Sequence, residues 1–297
     1  MAPIATYTIT SSDPEPAGFI LPDLFSDCRY PLRVNPHSHH VSRASEEWLF
    51  TEAHIVEPEI AKFKALRIGD LIASCYPDAD ASRLRIVLDF LSWAFIVDDY
   101  LDDRDVDDVR GMRECCISAS RDPINFQTEN PAGKIYKSRF MDTAGPGCTE
   151  RFIHILDLFF TAAAKEVDNR AKGQIHDLAS YTTLRRDLSE QSCNDTYVNL
   201  IAILMHEQGL DLQGAVDYSG QLCKSAIQRF EDNQATLPSR VAIYIQGMQD
   251  MVVGSLHWYF DSARYFGEDG ETEARPIHEA TSQKALVFVY YVEQFEL

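Results

Sequence analysis

The sequence is short of positive charge. It has 27 lysine and arginine residues against 46 aspartate and glutamate residues, so its net charge at pH 7 is −19. Nucleic acids and anionic membrane surfaces bind through basic faces, and both are therefore disfavoured as partners. If the ligand of this chain is itself an anion, part of the compensating charge must come from outside the chain. Metal ions are the obvious source.

Three further features are missing. No apolar run approaches the ~18 residues that cross a bilayer, and the longest late run, Ala285–Val292, is far too short. The N-terminus lacks the charged and apolar regions of a signal peptide. The seven cysteines are scattered and include no CxxC pair. We therefore expect a cytoplasmic protein with reduced thiols and no membrane span.

The apolar spacing is mostly helical from Glu46 onward, and strand-like alternation is rare. No proline falls between Pro146 and Pro238, so a long stretch is free of this helix breaker. The pattern predicts an all-α domain of packed helices. The predicted helices are Ser82–Val97, Thr149–Arg170, Leu212–Phe230 and Val241–Phe266. In the first of them, one face is predicted to carry Leu84, Val87, Leu91, Ala94 and Phe95.

Residues 1–42 are rich in proline, serine and histidine and have no sustained period. They are predicted to form an arm on the surface of the domain. The segment His37-Ser38-His39-His40 resembles a metal-binding cluster at first sight. It is interpreted as a polar loop, because no cysteine or carboxylate lies at ligand spacing from it.

An acidic run ends the first predicted helix, where Phe95–Asp103 reads FIVDDYLDD. Asp98 follows Phe95 by three residues and Leu91 by seven, so it continues the apolar stripe, and Asp102 follows four residues later. Two unpaired charges facing a core would be very unfavourable. Mg²⁺ would compensate them, because it binds carboxylate oxygens and completes its shell with water or phosphate oxygens. This predicts a pocket with metal at its rim, suited to a phosphorylated ligand with an apolar tail.

Other interpretations of the acidic run remain open. The later aspartates could form a solvated loop after the helix. They could also be an EF-hand, although Asp108 stands where the calcium loop needs glycine and Arg110 where an apolar residue is usual. The DVDD segment matches the DxDD acid motif of protonation-initiated terpene cyclases. The solvated loop would contain Asp103, Asp105, Asp107 and Asp108, and the DVDD segment is Asp105–Asp108. The calcium loop would take its ligands from Asp103, Asp105, Asp107 and Glu114.

Several motifs follow one another in a recognisable order. Asp98-Asp99-Tyr100-Leu101-Asp102 matches DDxxD, and Tyr181–Asp187 reads YTTLRRD. They are followed by Met205–Leu210, which reads MHEQGL, then by LHW at Leu256–Trp258 and by the pair Arg264-Tyr265. Together they resemble the class I terpene synthases, specifically the fungal-type sesquiterpene synthases. The resemblance extends from about Leu21 to Gly270.

This resemblance implies an α-helical bundle around a central hydrophobic cavity. It also implies ionisation and cyclisation of a prenyl diphosphate, usually farnesyl diphosphate, with about three Mg²⁺ ions stabilising the departing diphosphate. By motif position, Asp98 and Asp102 are the catalytic metal ligands, with Asp99 as a neighbouring ligand. Diphosphate binding is implied for Arg186, Arg264 and Tyr265, and cavity lining for Phe90, Trp93, Phe95 and Trp258. Ordinary core packing is the alternative for these aromatic residues, and an ion pair with Asp261 for Arg264.

The family's second metal motif, (N/D)xxSxxxE, is not found where it is expected. Asn194 is followed at its spacings by Val198 and Ala202, and Asp195 is followed by Asn199 and Ile203. From the motif spacing, roughly 40 residues are missing after about residue 187. A sequence or splicing fault, an inactive homologue, and a metal site rebuilt with Asn194 all remain open.

The predicted organisation is an arm at 1–42, a synthase domain at 43–270 and an atypical tail at 271–297. The leading functional hypothesis is a Mg²⁺-dependent sesquiterpene cyclase whose activity depends on how the second metal site is completed. The alternative is an inactive relative that binds prenyl diphosphate or serves as a scaffold. A chain-elongating prenyltransferase would need a second DDxxD motif, and none is found.

Overall fold

The computed structural model describes residues 19–101, 104–122, 124–130, 133–136, 146–172, 177–180, 200–234, 236–262 and 279–280. Helices dominate these residues, which confirms the predicted all-α class. They are α1 (Leu24–Asp27), α2 (Ser38–Glu52), α3 (Glu59–Ala65), α4 (Ile68–Cys75), α5 (Ala81–Leu101), α6 (Val106–Arg121), α7 (Pro146–Ala171), α8 (Leu200–Gln208), α9 (Leu212–Gln234) and α10 (Ala242–Asp261). A 3₁₀ turn at Ser239–Val241 precedes α10.

Each of the longer helices packs against at least one other helix. Helix α5 contacts α2 and α4, α4 contacts α10, α6 contacts α7, and α8 contacts α9. Their facing side chains form one continuous apolar core, in which Leu49 and Val97 are fully buried. Burying a side chain of this size contributes roughly 1.5–3 kcal/mol. Within the described ranges, no helix is both long enough and apolar enough to cross a bilayer.

Helix α5 follows from its sequence. The backbone N–H of Arg83 donates to Asp80 Oδ1 at 2.9 Å, which satisfies one of the unpaired donors at the helix start. An apolar run then continues without proline or glycine to Leu101. The helix is thus longer at both ends than the predicted Ser82–Val97, and Asp98 falls inside its last turn rather than after it.

The acidic segment after α5 is largely helical. Asp105 caps α6, because its Oδ1 accepts the backbone N–H groups of Asp107 and Asp108 at 2.9 Å each. Both of these residues lie exposed in the first helical turn, where carboxylates favour the helix dipole. The EF-hand interpretation is wrong, since the second half of its calcium loop lies within α6.

The sequence analysis predicted a polar loop at residues 37–40. The structure instead places the start of α2 there. His37 occupies the N-cap position without a side-chain capping hydrogen bond, and the helix begins at Ser38. The cause is Asn35, which is 2% exposed and whose Oδ1 accepts the N–H of His37 at 2.8 Å. Its Nδ2 donates to the carbonyl oxygens of Tyr76 and Ala79, both at 2.8 Å. This buried amide fixes the chain where it enters the helix.

Part of the predicted N-terminal arm is buried. Leu21 and Leu24 belong to the core, and the ring of Phe25 contacts those of His257 and Phe260 in α10. Ile20 is tied to α9 by two hydrogen bonds with the side-chain amide of Gln213, at 2.8 and 3.0 Å. Phe19–Ile20 also pairs antiparallel with Glu279–Ala280. The domain boundaries at 42 and 270 stay predictions.

The remaining predicted helices lie where expected, with shifted ends. Thr149–Arg170 falls within α7, and Leu212–Phe230 within α9. The described part of the predicted Val241–Phe266 helix is α10, which begins at Ala242 and ends at Asp261. Residues 263–266 lie outside the described part of the chain.

Candidate active site

One side of α5 carries a row of half-buried apolar residues. Val87, Phe90, Leu91 and Ala94 recur at helical spacing, and each is partly exposed. Asp98 continues the row eleven residues after Val87 and is only 7% exposed. We call these five residues the stripe. It is the side of α5 on which an apolar ligand could lie with its polar end near Asp98.

The stripe differs from the face predicted from the sequence. Leu84 and Phe95 were grouped with Val87, Leu91 and Ala94, but both are fully buried, at 1% and 4% exposure. Helical periodicity identifies which residues lie near one another. It does not predict how far neighbouring elements cover each residue of one face. The predicted face is therefore kept, and within it Leu84 and Phe95 are buried more deeply than the other three residues.

The opposite side of α5 contains a second buried carboxylate. Asp89 is fully buried, and its Oδ1 accepts hydrogen bonds from Arg85 Nε and Ser45 Oγ, both at 2.6 Å. Asp89 and Asp98 are nine residues apart, which places them about 180° apart around a helix. The sequence analysis missed Asp89 because it stands in an apolar run. Arg85, four residues earlier, is the signal that could have revealed it.

Asp98 fits the carboxylate ligand that Mg²⁺ requires. Its oxygens are hard donors, and its low exposure shields a bound ion from bulk water. The side chain of Asp99 and all of Asp102 lie outside the described residues. Within the described residues, no three histidine, cysteine, aspartate or glutamate side chains group closely enough to hold a metal ion. The three-aspartate ligand set stays a prediction, with Asp98 as its described member.

The four aromatic residues predicted to line the cavity fall into two clusters. Phe90 contacts Trp93, with 5.7 Å between ring centroids, and Phe152 of α7 at 5.3 Å. Phe95 contacts Trp258 at 5.7 Å, on another side of α5. Phe90 alone of these four belongs to the stripe. Trp93, Phe95 and Trp258 are 2–4% exposed, and their role as cavity lining stays a prediction.

Tyr136 completes the first cluster and was missed by the sequence analysis. Its ring is 5.0 Å from that of Trp93, and its hydroxyl lies 2.5 Å from Ser120 Oγ. Ser120 donates its own hydroxyl proton to the carbonyl oxygen of Cys116 at 2.8 Å, so the Tyr136 hydroxyl must donate to Ser120. Burial raises the pKa of Tyr136 well above its ordinary value. The ring that supports Trp93, and through it Phe90, is thus held by a buried hydrogen bond.

The HEQG segment has a structural contact of its own. Glu207 Oε2 accepts the backbone N–H of Leu178 at 3.0 Å, which connects α8 to the residues just before Tyr181–Asp187. Arg186, Arg264 and Tyr265 themselves lie outside the described residues, and their diphosphate-binding roles stay predictions.

Clefts on other faces of the fold do not involve the predicted site. One of about 480 Å³ lies between α6 and α7, and its charged residues include Arg110, Arg113 and Lys165. Another of about 460 Å³ lies between α9 and the chain near Asp27 and Arg29. Neither contains a residue of the stripe, and more than half of the side chains that line each cleft are charged or polar, which does not suit a prenyl chain.

Comparisons with known proteins identify the family. Residues 89–190 match the family model described as terpene synthase family 2, C-terminal metal binding. The sesquiterpene synthase Agr1 of Cyclocybe aegerita is 33% identical, with 84% of this chain and 89% of that protein covered. Sesquiterpene synthase 2 of Postia placenta is also 33% identical, with 88% and 94% covered. The alpha-muurolene synthase of Coprinopsis cinerea is 32% identical, with 88% and 77% covered.

Solved structures support the fold. Hedycaryol synthase in complex with nerolidol superposes with a TM-score of 0.64 at 20% identity, covering 81% of this chain and 100% of that chain. The α-eudesmol synthase structure gives a TM-score of 0.63 at 17% identity, covering 77% and 96%. At this level of identity the similarity shows the fold alone.

The extent of the match to Agr1 shows that this chain is shorter than that relative over the matched region. The match to Agr1 spans 310 positions, whereas 84% of 297 residues is about 250, so about 60 aligned positions have no residue in this chain. The family-model match ends at residue 190, close to where the sequence analysis places the missing segment. By its fold and by its identity to the fungal sesquiterpene synthases over most of its length, the chain belongs to the terpene synthase family.

Proposed function

We propose that this chain binds farnesyl diphosphate with Mg²⁺ along the stripe of α5, as a sesquiterpene cyclase does, and that it ionises the substrate slowly. The observation that carries the proposal is Asp98, a carboxylate at 7% exposure that ends a row of half-buried apolar residues. A prenyl chain needs the apolar row, and a metal-bound diphosphate needs the carboxylate. The similar proteins Agr1 and sesquiterpene synthase 2 are sesquiterpene synthases, which supports the C15 substrate.

The charge balance agrees with this assignment. A net charge of −19 repels a diphosphate unless cations accompany it. Asp98 and Asp102 would hold Mg²⁺, which stabilises the negative charge that develops on the departing diphosphate. Arg186, Arg264 and Tyr265 would donate hydrogen bonds to the same group, since guanidinium forks suit phosphate oxygens. Phe90 and its neighbours would exclude water from the prenyl chain.

Slow ionisation follows from the missing second motif. In this family a second group of side chains holds metal opposite the DDxxD aspartates, and neither Asn194 nor Asp195 begins such a group here. Without this second group of metal ligands, the departing diphosphate is stabilised less than in a complete cyclase as its bond to the prenyl carbon breaks. Since each 1.4 kcal/mol of lost stabilisation costs about tenfold in rate, a small deficit suffices to suppress product.

A second candidate is a binding protein with no turnover. The roughly 60 aligned positions that this chain lacks favour it, because they fall within otherwise well-matched relatives. In this version farnesyl diphosphate still binds through Mg²⁺ and Asp98, but no hydrocarbon forms. Both candidates use the same site and differ only in the step that follows binding.

The test combines binding with product analysis. Purified chain is titrated with farnesyl diphosphate with and without Mg²⁺ by calorimetry, and the same mixture is extracted for gas chromatography with mass detection. We expect Mg²⁺-dependent binding and only a trace of sesquiterpene, both lost in Asp98→Ala. Binding with no product at all selects the second candidate. A strong product peak that disappears in Asp98→Ala would show that the second metal site is functionally complete.

If no Mg²⁺-dependent binding is found, both candidates are wrong. Sequencing of transcripts across the codon for Asp187 then decides whether this chain is the complete gene product. A transcript that restores NxxSxxxE would supply the protein for a repeat of the same two measurements.

A further inference from the structure

Five large apolar residues are exposed where α9 ends and α10 begins. Ile243 and Tyr244, in the first turn of α10, are 90% and 63% exposed. Leu237 lies in the connection before α10, and Leu32 and Val34 lie in the segment before α2. We call these five residues the apolar tip. Apolar residues that are exposed together on one part of a surface mark a binding site, unlike single scattered ones.

The segment before α2 holds its polar side chains inward and its apolar side chains outward. Leu32 and Val34 are 41% and 58% exposed, whereas Arg33 is partly buried and Asn35 is 2% exposed. Arg33 donates to both carboxylate oxygens of Asp250 in α10, from Nε at 3.1 Å and from Nη2 at 2.6 Å. Apolar residues that the fold holds toward solvent in this way indicate a functional surface.

Further contacts place the other two segments of the tip beside this one. Ile243 lies two turns before Asp250 on the same side of α10, about 10 Å away along the helix axis. Gln249 Nε2 donates to Gln234 Oε1 at 2.8 Å, which joins α10 to the end of α9 just before Leu237. The three segments therefore meet at one end of the bundle.

The tip projects from the fold and is small. A Cβ atom added at Gly247, one turn after Ile243 on the same side of α10, would meet no described atom within 4 Å. At roughly 150–200 Å² per residue of this size, the exposed fractions of the five members leave about 500 Å² open to solvent. A stable protein complex buries about 800 Å² of each partner. A projecting surface of this size suits a soft lipid interface better than a protein partner.

The charge around the tip also points to a neutral partner. Arg240 is the single charged residue in 236–249, and Arg33 is the single charged residue in 30–36. Neither stretch contains an acid, although the chain has 46 acidic residues and a net charge of −19. That net charge repels a second copy of the chain and an anionic lipid surface alike. A neutral lipid surface carries no such penalty, and tyrosine is favoured at its interface.

We propose that the apolar tip attaches this chain peripherally to a neutral lipid surface, with Ile243 and Tyr244 inserted at the boundary between headgroups and acyl chains. Arg33 and Arg240 would stay at the level of the headgroups, because long cationic side chains keep their charge in water. Attachment needs neither Mg²⁺ nor a diphosphate, so the inference goes beyond the proposed function and is tested separately from it.

The experiment is flotation of the full chain with phosphatidylcholine vesicles, at low and at high salt. Ile243→Glu and Val34→Glu place a charge on the tip in two different segments. The matched control is Ile124→Glu, because Ile124 is 83% exposed but follows α6, two residues after Asp122. Circular dichroism checks that each variant is folded, and sedimentation measures self-association.

We expect the unmodified chain to float with the vesicles and Ile243→Glu to weaken the association at least about tenfold, because an inserted isoleucine is replaced by a charge. Val34→Glu should weaken it severalfold, and Ile124→Glu should leave it unchanged. The association should persist at high salt, since salt screens charges and not apolar insertion.

A fluorescence measurement reports insertion directly. Trp93 and Trp258 are 2% and 3% exposed, so Tyr244→Trp introduces a far more accessible tryptophan. Phosphatidylcholine brominated on its acyl chains should quench the introduced tryptophan in Tyr244→Trp. The same lipid should not quench the one introduced in Ile124→Trp.

Three results would overturn the lipid assignment. The unmodified chain could fail to float, or Ile124→Glu could weaken the association as much as Ile243→Glu does. Release of the chain at high salt would show that the arginines, and not the apolar residues, carry the binding. A chain that does not float but forms a dimer, which Ile243→Glu disrupts, would show that a second copy covers the tip instead.

Discussion

The two buried carboxylates of α5 lie on opposite sides of one helix. Asp89 is fully buried against Arg85 and Ser45, so its charge is compensated by the protein itself. Asp98 lies on the opposite side, at the end of the half-buried apolar stripe. Each follows a stretch of apolar residues, and neither is distinguished by residue type. Position around the helix is what separates a structural carboxylate from a candidate metal ligand.

The difference extends to the aromatic residues beside each carboxylate. Trp93, four residues after Asp89, is 2% exposed and is held by Tyr136 through ring contact. Phe90, on the stripe, is partly exposed and touches this packed side through Trp93. Phe90 also contacts Phe152 of α7, so the two sides of α5 differ in how deeply their side chains are buried. Predictions for the two sides should separate stability from binding.

The largest effect is expected at Asp98. Asp98→Asn removes the charge that would hold a shielded Mg²⁺ ion, a loss of about 4 kcal/mol. Mg²⁺-dependent binding of inorganic diphosphate should therefore weaken about a thousandfold. Calorimetry measures this, and circular dichroism checks that the variant is folded. Unchanged affinity in the folded variant would mean that Asp98 is not a metal ligand.

The next effect is expected at Asp89. Asp89→Asn removes the carboxylate that pairs with Arg85, whose side chain is only 20% exposed. Because the guanidinium charge then lacks this partner in a largely buried position, the free energy of unfolding should fall by about 3 kcal/mol. Denaturant titration measures it, and diphosphate affinity of the folded variant should not change. The matched control is Glu47→Gln, which breaks an exposed pair with Arg43 at the same four-residue spacing. It should cost no more than about 0.5 kcal/mol.

A reversal of these two results would contradict the comparison directly. If Asp89→Asn weakened diphosphate binding while leaving stability intact, the packed side of α5 would be the binding side. The stripe would then be an ordinary, loosely packed surface of the core.

The sequence predicted the architecture well because the fold rests on periodicity. The all-α class and the described helices α5, α7, α9 and α10 follow from apolar spacing and the absence of proline. Helix ends were less predictable, since they depend on single contacts. Asn35 turns the predicted loop at His37 into a helix start, and Asp105 turns part of the acidic run into a helix cap. Each of these contacts is a hydrogen bond from a backbone N–H group to one side chain, and apolar spacing does not reveal it.

The candidate site was only partly predictable from the sequence. Asp98 was predicted from motif and spacing together; it lies at 7% exposure in the last turn of α5, and its role as a metal ligand stays a prediction. The Tyr136–Ser120 contact could not be predicted, because its partners are 16 residues apart and belong to no motif. Arg85 and Asp89 could have been found from their four-residue spacing.

The smallest effect is expected at Tyr136, on the packed side. Tyr136→Phe removes the hydrogen bond to Ser120 and should lower the free energy of unfolding by about 1 kcal/mol near pH 8. Burial raises the pKa of this phenol, so the folded chain keeps its proton at pH values where the unfolded chain, with a pKa near 10, releases it. The stabilising contribution is therefore complete below pH 10 and is lost as the pH rises further.

The raised pKa of Tyr136 makes the stability of the unmodified chain and of Tyr136→Phe depend differently on pH. Above pH 10 the unmodified chain should lose up to about 1.4 kcal/mol per pH unit more than Tyr136→Phe does, because only it has this phenol to ionise on unfolding. Tyr30, whose pKa burial raises to about 12, contributes equally in both chains and cancels from the difference. Denaturant titrations at steps from pH 8 to 11 should show the gap of about 1 kcal/mol closing between about pH 10 and 11. A gap that stayed constant over this range would mean that the Tyr136 hydroxyl is open to water, and that the packed side of α5 is not sealed as its contacts indicate.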